Sequence, residues 1–261
     1  MNFIDTHTHL YAEEFDPDRD AVIQHAVDKG VEKLLLPAID RSYYERMMFV
    51  AGHHEKVCLP MIGLHPTSVK ADYREEIDFV KETLEKSRTK FYGIGEIGID
   101  LYWDKTFAKE QASAFSDQLD FAIEFKLPVA IHTRNSFDIA MKIILEKNNR
   151  ELKGVFHCFS GSVEQAQQAT SLGFMLGIGG IITYKNSGLQ KVVETTGLSH
   201  LILETDAPYL PPVPYRGQRN ESAYIPIIAK KVAEIKNVSV AEVAEQTTQN
   251  AVTLFKLILD A

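Results

Sequence analysis

The chain has 261 residues, of which 45% are hydrophobic, and its 28 basic and 36 acidic side chains give a formal net charge of -8. Its longest apolar stretches, such as residues 34–39, are far shorter than the roughly 20 residues of a membrane-spanning helix, so we expect no membrane protein. Residues 2–5 begin no signal peptide, so we expect no secreted protein either. The negative charge also argues against a protein that holds duplex DNA on a basic surface.

Short apolar runs rich in β-branched residues predict eight β-strands. They lie at residues 3–5, 33–37, 57–63, 91–94, 128–131, 154–156, 174–178 and 200–203. Their spacing, roughly 20 to 40 residues, matches a strand, a loop, a helix and a second loop. A doubly wound sheet more often has five or six strands, so eight units predict an α/β fold of the TIM-barrel type, (β/α)₈, with residues 1–261 in a single domain.

Apolar residues at helical spacing fill the segments between these runs. Residues 17–29 predict the first helix, with Asp16 as N-cap, Pro17 at the first helical position and Gly30 as terminator. A second helix is predicted at residues 108–126, and capping residues predict helix starts at Ser162 and Ser239.

Polar residues cluster at the predicted carboxyl ends of the strands, which is where barrel enzymes carry their active sites. Of nine histidines, five lie there: His7, His9, His65, His132 and His157. Because strand side chains alternate with a period of two, His7 and His9 point to the same face and can bind one cation. Taken singly, each of these histidines has an alternative interpretation as a packed or hydrogen-bonded core residue. Their joint placement favours a metal centre.

Six side chains from five strands form the predicted ligand set: His7, His9, Glu96, His132, His157 and Asp206. Six ligands are too many for one tetrahedral ion and enough for two, with Glu96 as the bridge. Imidazole and carboxylate ligands suit Mg²⁺, Mn²⁺ or Zn²⁺, so the predicted cofactors are two such divalent ions. Asp5 shares the face of His7 and His9. It either orients a ligand histidine or makes a structural ion pair or hydrogen bond.

The chain resembles the TatD family of metal-dependent deoxyribonucleases, within the amidohydrolase-like barrel superfamily. The motifs that carry this resemblance extend over almost the whole chain and lie at residues 3–10, 63–66, 93–100, 128–134, 157–161, 204–210 and 248–251. The resemblance implies the barrel, a one- or two-metal centre, hydrolysis of DNA phosphodiester bonds, and the same six ligands. Two departures stand out. Glu96 occupies the place of the carboxylated lysine of related barrel hydrolases, and Ser222 stands where we expect a proline, which predicts a less rigid loop.

We expect three residues to take part in the chemistry. Asp206 accepts the proton of the attacking water, Glu96 bridges the ions, and His65 donates a hydrogen bond to the phosphate or the leaving group. A loop-packing role is the alternative for His65. The test of the first assignment is Asp206→Asn, which should not retain the full hydrolytic rate.

Substrate contacts are predicted from arginines and aromatic residues near the strand ends. Arg134, Arg216 and Arg219 are candidates to bind phosphate oxygens, and Tyr102 and Trp103 are candidates to stack a nucleobase. A structural ion pair for Arg134 or Arg216 and an ordinary packed loop for the aromatic pair are the alternatives. Because the surface is acidic, we expect local binding of single strands or DNA ends.

Two other function classes stay open. A small-molecule ester, amide or lactone hydrolase would use the same two-metal centre, and a non-catalytic binding protein would merely retain it. Cys58 and Cys158 lie in apolar runs, which favours reduced thiols and a cytoplasmic location. The sequence indicates no obligatory protein partner.

Overall fold

The structure, a computed structural model, describes residues 1–259. Strands and helices alternate along the chain. The strands are β1 (Phe3–Asp5), β2 (Val31–Leu36), β3 (Cys58–Pro60), β4 (Ile94–Asp100), β5 (Val129–Arg134), β6 (Gly154–Phe156), β7 (Met175–Ile178) and β8 (Leu201–Leu203). The α-helices are α1 (Arg19–Asp28), α2 (Arg41–His53), α3 (Tyr73–Ser87), α4 (Ala108–Phe125), α5 (Phe137–Lys147), α6 (Val163–Ser171), α7 (Leu189–Thr195), α8 (Ile225–Lys236) and α9 (Val240–Phe255). Within this described part, no helix has the length and hydropathy of a membrane-spanning segment.

All paired strands are parallel and follow chain order, β1 to β3 in one sheet and β4 to β8 in another. Two bridges join the sheets: Ile62 pairs with Ile94 between β3 and β4, and Thr8 pairs with Ala207 between β1 and β8. The predicted (β/α)₈ barrel is confirmed. Assignment of residues 1–261 to a single domain stays a prediction.

One end of the barrel is filled by apolar side chains. Ile4, Leu35 and Ile202 point inward from three strands and pack with Leu254 and Phe255 of α9. The neighbouring strand residues belong to the outer layer against the helices, as the period of two requires. The apolar inner residues and α9 therefore fill one end of the barrel, and the polar residues lie at the other end, where the strands have their carboxyl ends.

The predicted position of β4 was wrong. We expected the strand to end at residue 94, whereas β4 begins there and continues to Asp100. Glycines lie at positions where β4 and β5 pack closely: a Cβ at Gly95 would lie 2.7 Å from Ala130 Cβ, and one at Gly98, where φ is +143°, would lie 2.0 Å from the backbone oxygen of His132. Glu96 thus projects from within the strand, and Asp100 lies at its end.

The first helix also begins later than predicted. Its N-cap is Asp18, and Pro17 precedes the helix. The carboxylate of Asp16 accepts hydrogen bonds from Arg19 and Arg46, which accounts for an acidic residue at that position. The helix at 108–126 is confirmed to within one residue, as are the helix starts after Ser162 and Ser239, where each serine side chain caps the helix.

Candidate metal centre

Glu96 lies at the middle of the predicted ligands and uses its two oxygens on different partners. Oε2 is 3.0 Å from His7 Nε2 and 3.5 Å from His9 Nε2. Oε1 is 2.8 Å from His132 Nδ1 and 3.4 Å from His157 Nε2. One carboxylate therefore faces two groups of imidazoles, which is the arrangement that a bridging ligand needs.

Asp206 approaches the same group from the end of β8. Its Oδ1 is 3.5 Å from His9 Nε2, 3.9 Å from His7 Nε2 and 4.0 Å from His157 Nε2. The structure thus brings all six predicted ligands into one cluster, which we call the ligand cluster: His7, His9, Glu96, His132, His157 and Asp206. Within residues 1–259, three sets of possible ligand atoms lie within 4.8 Å of one another. Two sets belong entirely to the ligand cluster, and the third joins His65 to Glu96 and His132.

The protonation states of the ligand cluster respond to burial and to neighbouring charge. Burial lowers the pKa of His7 to about 4. Burial alone would also lower the pKa of His9, but hydrogen bonds to Asp206 and Glu96 raise it to about 9. Burial opposes protonation of His157 too, yet the charge of Glu204 raises its pKa to about 10. The carboxylates that attract protons here are the groups that would attract a cation.

The two carboxylates of the cluster are ionised in spite of burial. Burial alone would raise the pKa of Glu96, but the surrounding imidazoles hold it well below its usual range. Burial likewise opposes ionisation of Asp206, whose pKa the charge of His157 nevertheless lowers. Imidazole nitrogens and ionised carboxylates are ligands of divalent cations, so this set of nitrogen and oxygen donors fits one or more such ions.

A contact on the outer side of each of three imidazoles determines which nitrogen faces inward. The Tyr11 hydroxyl donates to Pro37 O at 2.5 Å, so it must accept from His9 Nδ1 at 2.9 Å, which leaves the lone pair of His9 on Nε2. His132 Nε2 lies 3.0 Å from Asp100 Oδ2, and His157 Nδ1 lies 3.2 Å from Glu204 Oε1. Acceptors on these outer nitrogens leave the inner ones free to bind a cation.

Sequence reasoning gave no role to Tyr11, Asp100 or Glu204. The period of two was an available signal for two of them, because Tyr11 follows His9 by two residues and Glu204 precedes Asp206 by two. The Glu204 side chain has room because the neighbouring strand β7 carries a glycine beside it. A Cβ at Gly177 would lie 2.2 Å from Glu204 Oε2.

His65 has the opposite arrangement. Its Nδ1 accepts from the backbone N–H of Thr67 at 3.2 Å, so in the neutral ring the proton lies on Nε2, 3.2 Å from Glu96 Oε1. His65 therefore directs an N–H group, and not a lone pair, toward the ligand cluster.

Asp5 contacts the backbone of the strand ends and not an imidazole ring. Its Oδ1 accepts from the backbone N–H groups of His7 and Thr205, and its Oδ2 accepts from the Thr205 hydroxyl at 2.5 Å. Burial raises the pKa of Asp5 to about 7. Of the two roles expected for Asp5, the structure shows the hydrogen-bonding one. Ser222, which replaces the expected proline, is fully buried and donates to the Thr8 hydroxyl oxygen at 3.3 Å.

Arg134, Tyr102 and Trp103 come together beside the ligand cluster and form what we call the platform. The Arg134 guanidinium carbon lies 3.8 Å from the Tyr102 ring centre and 5.1 Å from that of Trp103. Tyr102 is 54% and Trp103 70% exposed. A groove of about 610 Å³ continues from Tyr102 and Arg134 along Ser160. Arg134 has no carboxylate partner within residues 1–259, so the structural ion pair that was its alternative is absent there.

The other two predicted arginines differ from each other. Arg216 lies over the ring of Tyr184 at 4.4 Å and is exposed. Arg219 donates from both terminal nitrogens to the carboxylate of Asp18, at 2.8 and 2.7 Å, and also to the backbone oxygen of Glu14. These contacts occupy its guanidinium, so we leave Arg219 out of the proposed substrate site.

Comparison with known proteins identifies the family of the chain. A family model described as TatD related DNase matches residues 4–256. The metal-dependent hydrolase YabD of Bacillus subtilis is 35% identical over 254 residues, which are 97% of this chain and 98% of the relative. The crystal structure of YjjV, a TatD homologue from Escherichia coli K12, covers 98% of both chains with a TM-score of 0.93 at 31% identity. A lactonase from Listeria monocytogenes shares the fold at 13% identity with a TM-score of 0.68, covering 97% of this chain and 94% of its own. The chain belongs to the TatD family of metal-dependent hydrolases.

Proposed function

We propose that the protein is a deoxyribonuclease that cleaves phosphodiester bonds of DNA at strand ends or in single strands. The observation that carries this proposal is the platform. An arginine without a carboxylate partner in residues 1–259 lies against two exposed aromatic rings, two residues beyond the predicted ligand His132. A guanidinium binds phosphate oxygens, and an exposed aromatic ring stacks on any nucleobase.

We propose two cation positions that share Glu96. One comprises His7, His9 and Asp206 with Glu96 Oε2, and the other comprises His132 and His157 with Glu96 Oε1. Divalent ions bound there, Mg²⁺, Mn²⁺ or Zn²⁺, would supply a water of lowered pKa and would neutralise charge on the phosphate.

Side chains of the site then accept a proton, donate a hydrogen bond and bind the substrate. Asp206, ionised and beside the cluster, accepts the proton of the attacking water. His65 donates from Nε2 to a phosphate or leaving-group oxygen, since its N–H already points inward. Arg134 binds a non-bridging phosphate oxygen, while Tyr102 or Trp103 stacks on the adjoining base.

The net charge of -8 supports ends or single strands as the substrate. An enzyme that binds along a duplex gains affinity by neutralising many phosphates and loses it steeply as salt rises. A buried ligand cluster with one neighbouring free arginine provides only a few such contacts. Binding is therefore local, and an unstacked base must reach the platform.

The test is an assay of 5′- and 3′-labelled single-stranded and duplex oligonucleotides with Mg²⁺, Mn²⁺ or Zn²⁺, beside a closed circular strand, a nitrophenyl phosphodiester and a lactone. We expect metal-dependent cleavage of the linear DNA, slower cleavage of the circle, and loss of both in Glu96→Ala. Turnover of the lactone without cleavage of any DNA would establish the small-molecule hydrolase instead. Equal rates on circle and linear strand would contradict the preference for ends.

We also propose that the protein acts in the cytoplasm, with no membrane or obligatory protein partner. Support comes from Cys58 and Cys158, which are both unpaired thiols. Thiols without disulfides are typical of a reducing compartment.

A further inference from the structure

The carboxylate of Asp100, which sequence reasoning left without a role, makes contacts in two directions. Oδ2 lies 3.0 Å from His132 Nε2, behind a ligand of the proposed metal centre. Oδ1 accepts from the backbone N–H groups of Tyr102 at 2.9 Å and Trp103 at 3.2 Å. Asp100 is only 1% exposed, so water does not compete for these bonds. One buried carboxylate thus joins the ligand cluster to the platform.

The platform is also joined to β5 by other contacts. The backbone N–H of Leu101 donates to Arg134 O at 2.9 Å, and the Arg134 side chain packs on the two rings. His132 and Arg134 are alternate residues of the same strand. The loop that follows β4 is therefore held between Asp100 and Arg134, and each of these residues contacts both Tyr102 and Trp103.

We propose that Asp100 is a positioning residue that couples cation binding at His132 to the arrangement of the platform. A cation on Nδ1 makes the imidazole a stronger hydrogen-bond donor at Nε2 and so draws it closer to Oδ2. The two backbone amides held by Oδ1 move with the carboxylate. This inference rests on the proposed cation position at His132 and does not depend on DNA being the substrate.

The chain supplies its own reporter, because Trp103 is the single tryptophan of the sequence. We would strip the protein with a chelator and titrate it with Zn²⁺, which has a filled d shell and no redox chemistry. Binding is measured by calorimetry and the emission of Trp103 by fluorescence. We expect a saturable change in emission that follows occupancy.

Asp100→Asn separates the two contacts. The amide oxygen still accepts from Tyr102 and Trp103, but the amide nitrogen cannot accept from His132 Nε2. We expect Zn²⁺ to bind about 10- to 100-fold more weakly to the site that includes His132. At saturating Zn²⁺ the emission change should be absent.

Glu204→Gln is the matched control, because Glu204 contacts His157 and has no contact with the loop that carries Trp103. It should weaken Zn²⁺ binding to a similar extent and keep the emission change at saturation. The coupling is contradicted if wild-type emission does not respond to Zn²⁺, or if Asp100→Asn responds as the wild type does. A wild type whose emission does not respond to Zn²⁺ overturns the coupling even if Asp100→Asn fails to fold.

The experiment also separates this inference from the proposed nuclease function. A protein whose emission responds to Zn²⁺ but which cleaves no DNA keeps the coupling and overturns the function. A metal-dependent nuclease whose Trp103 emission does not respond to Zn²⁺ keeps the function and overturns the coupling.

Discussion

The ligand cluster and the platform lie next to each other but differ in burial and in the elements that carry most of their residues. His7, His9 and Glu96 are at most 3% exposed, lie in or directly after a strand, and are held by further buried contacts. Tyr102 and Trp103 lie in a loop and are more than half exposed. We therefore expect the barrel to determine the hydrolytic chemistry and the loops to determine which substrate reaches it.

Of four substitutions that test this difference, Glu96→Ala should have the largest effect, because it removes the residue on which both imidazole groups converge. We expect hydrolysis to fall by at least about 10³-fold, since charge stabilisation by a bound cation is worth several kcal/mol. The steady-state rate of hydrolysis and the Zn²⁺ affinity measured by calorimetry should both fall. Glu82→Ala is the control, because Glu82 makes only an exposed pair with Lys86. Retained activity in Glu96→Ala would refute the metal centre as drawn.

His65→Ala should have the next largest effect and distinguishes a donor from a ligand. We expect kcat to fall by about 10²-fold with Zn²⁺ affinity unchanged, because the lost group donates an N–H and binds no cation. His53→Ala, which alters an exposed histidine bonded to Phe49 O, should leave both quantities unchanged. A parallel loss of Zn²⁺ affinity would make His65 a ligand.

Trp103→Ala tests the platform. Loss of stacking on one base, about 1–3 kcal/mol, should raise KM for a single-stranded oligonucleotide roughly 10-fold and change kcat little. Cleavage of a nitrophenyl phosphodiester, which has no nucleobase, should be unaffected. Arg74→Ala is a suitable reference, because Arg74 also lies over a ring, that of Tyr73, on another part of the surface. An equal rise in KM for both substrates would show that the platform does not bind bases.

Arg219→Ala should have the smallest effect and should alter stability. The Arg219 guanidinium lowers the pKa of Asp18, so the pair stabilises the folded state above the usual pKa of an aspartate. That contribution is lost as the pH falls through the lowered value. Urea unfolding should show a deficit of about 0.2–1 kcal/mol at pH 7, which shrinks below about pH 4. Asp18→Asn should abolish this dependence on pH. An equal deficit at both pH values would exclude the charge pair as its source.

The sequence predicted residues whose signal is local. His7 and His9 lie two apart after an apolar run, and every predicted ligand except Glu96 lies near the carboxyl end of a strand. Glu96 was predicted as a ligand although the predicted limits of β4 were wrong. The corrected limits change neither the strand to which Glu96 belongs nor the end of the barrel that it faces.

Contacts between distant parts of the chain could not be predicted. The Arg219 pair with Asp18 joins residues 201 positions apart, and nothing near Arg219 indicates that its charge is already used. Asp100 received no role because the strand was expected to end at residue 94, although β4 continues to Asp100. Gly95 and Gly98 allow the close approach of β5, which only the folded barrel reveals.

Gly177 has a consequence for anyone who diversifies this protein. The residue carries no functional group and lies on a strand that supplies no ligand, yet a methyl group there would lie 2.2 Å from the Glu204 carboxylate that supports His157. In a screen for activity, a substitution at 177 would therefore resemble the loss of a metal ligand. A library built for new substrates should leave that position unchanged and vary the loops instead.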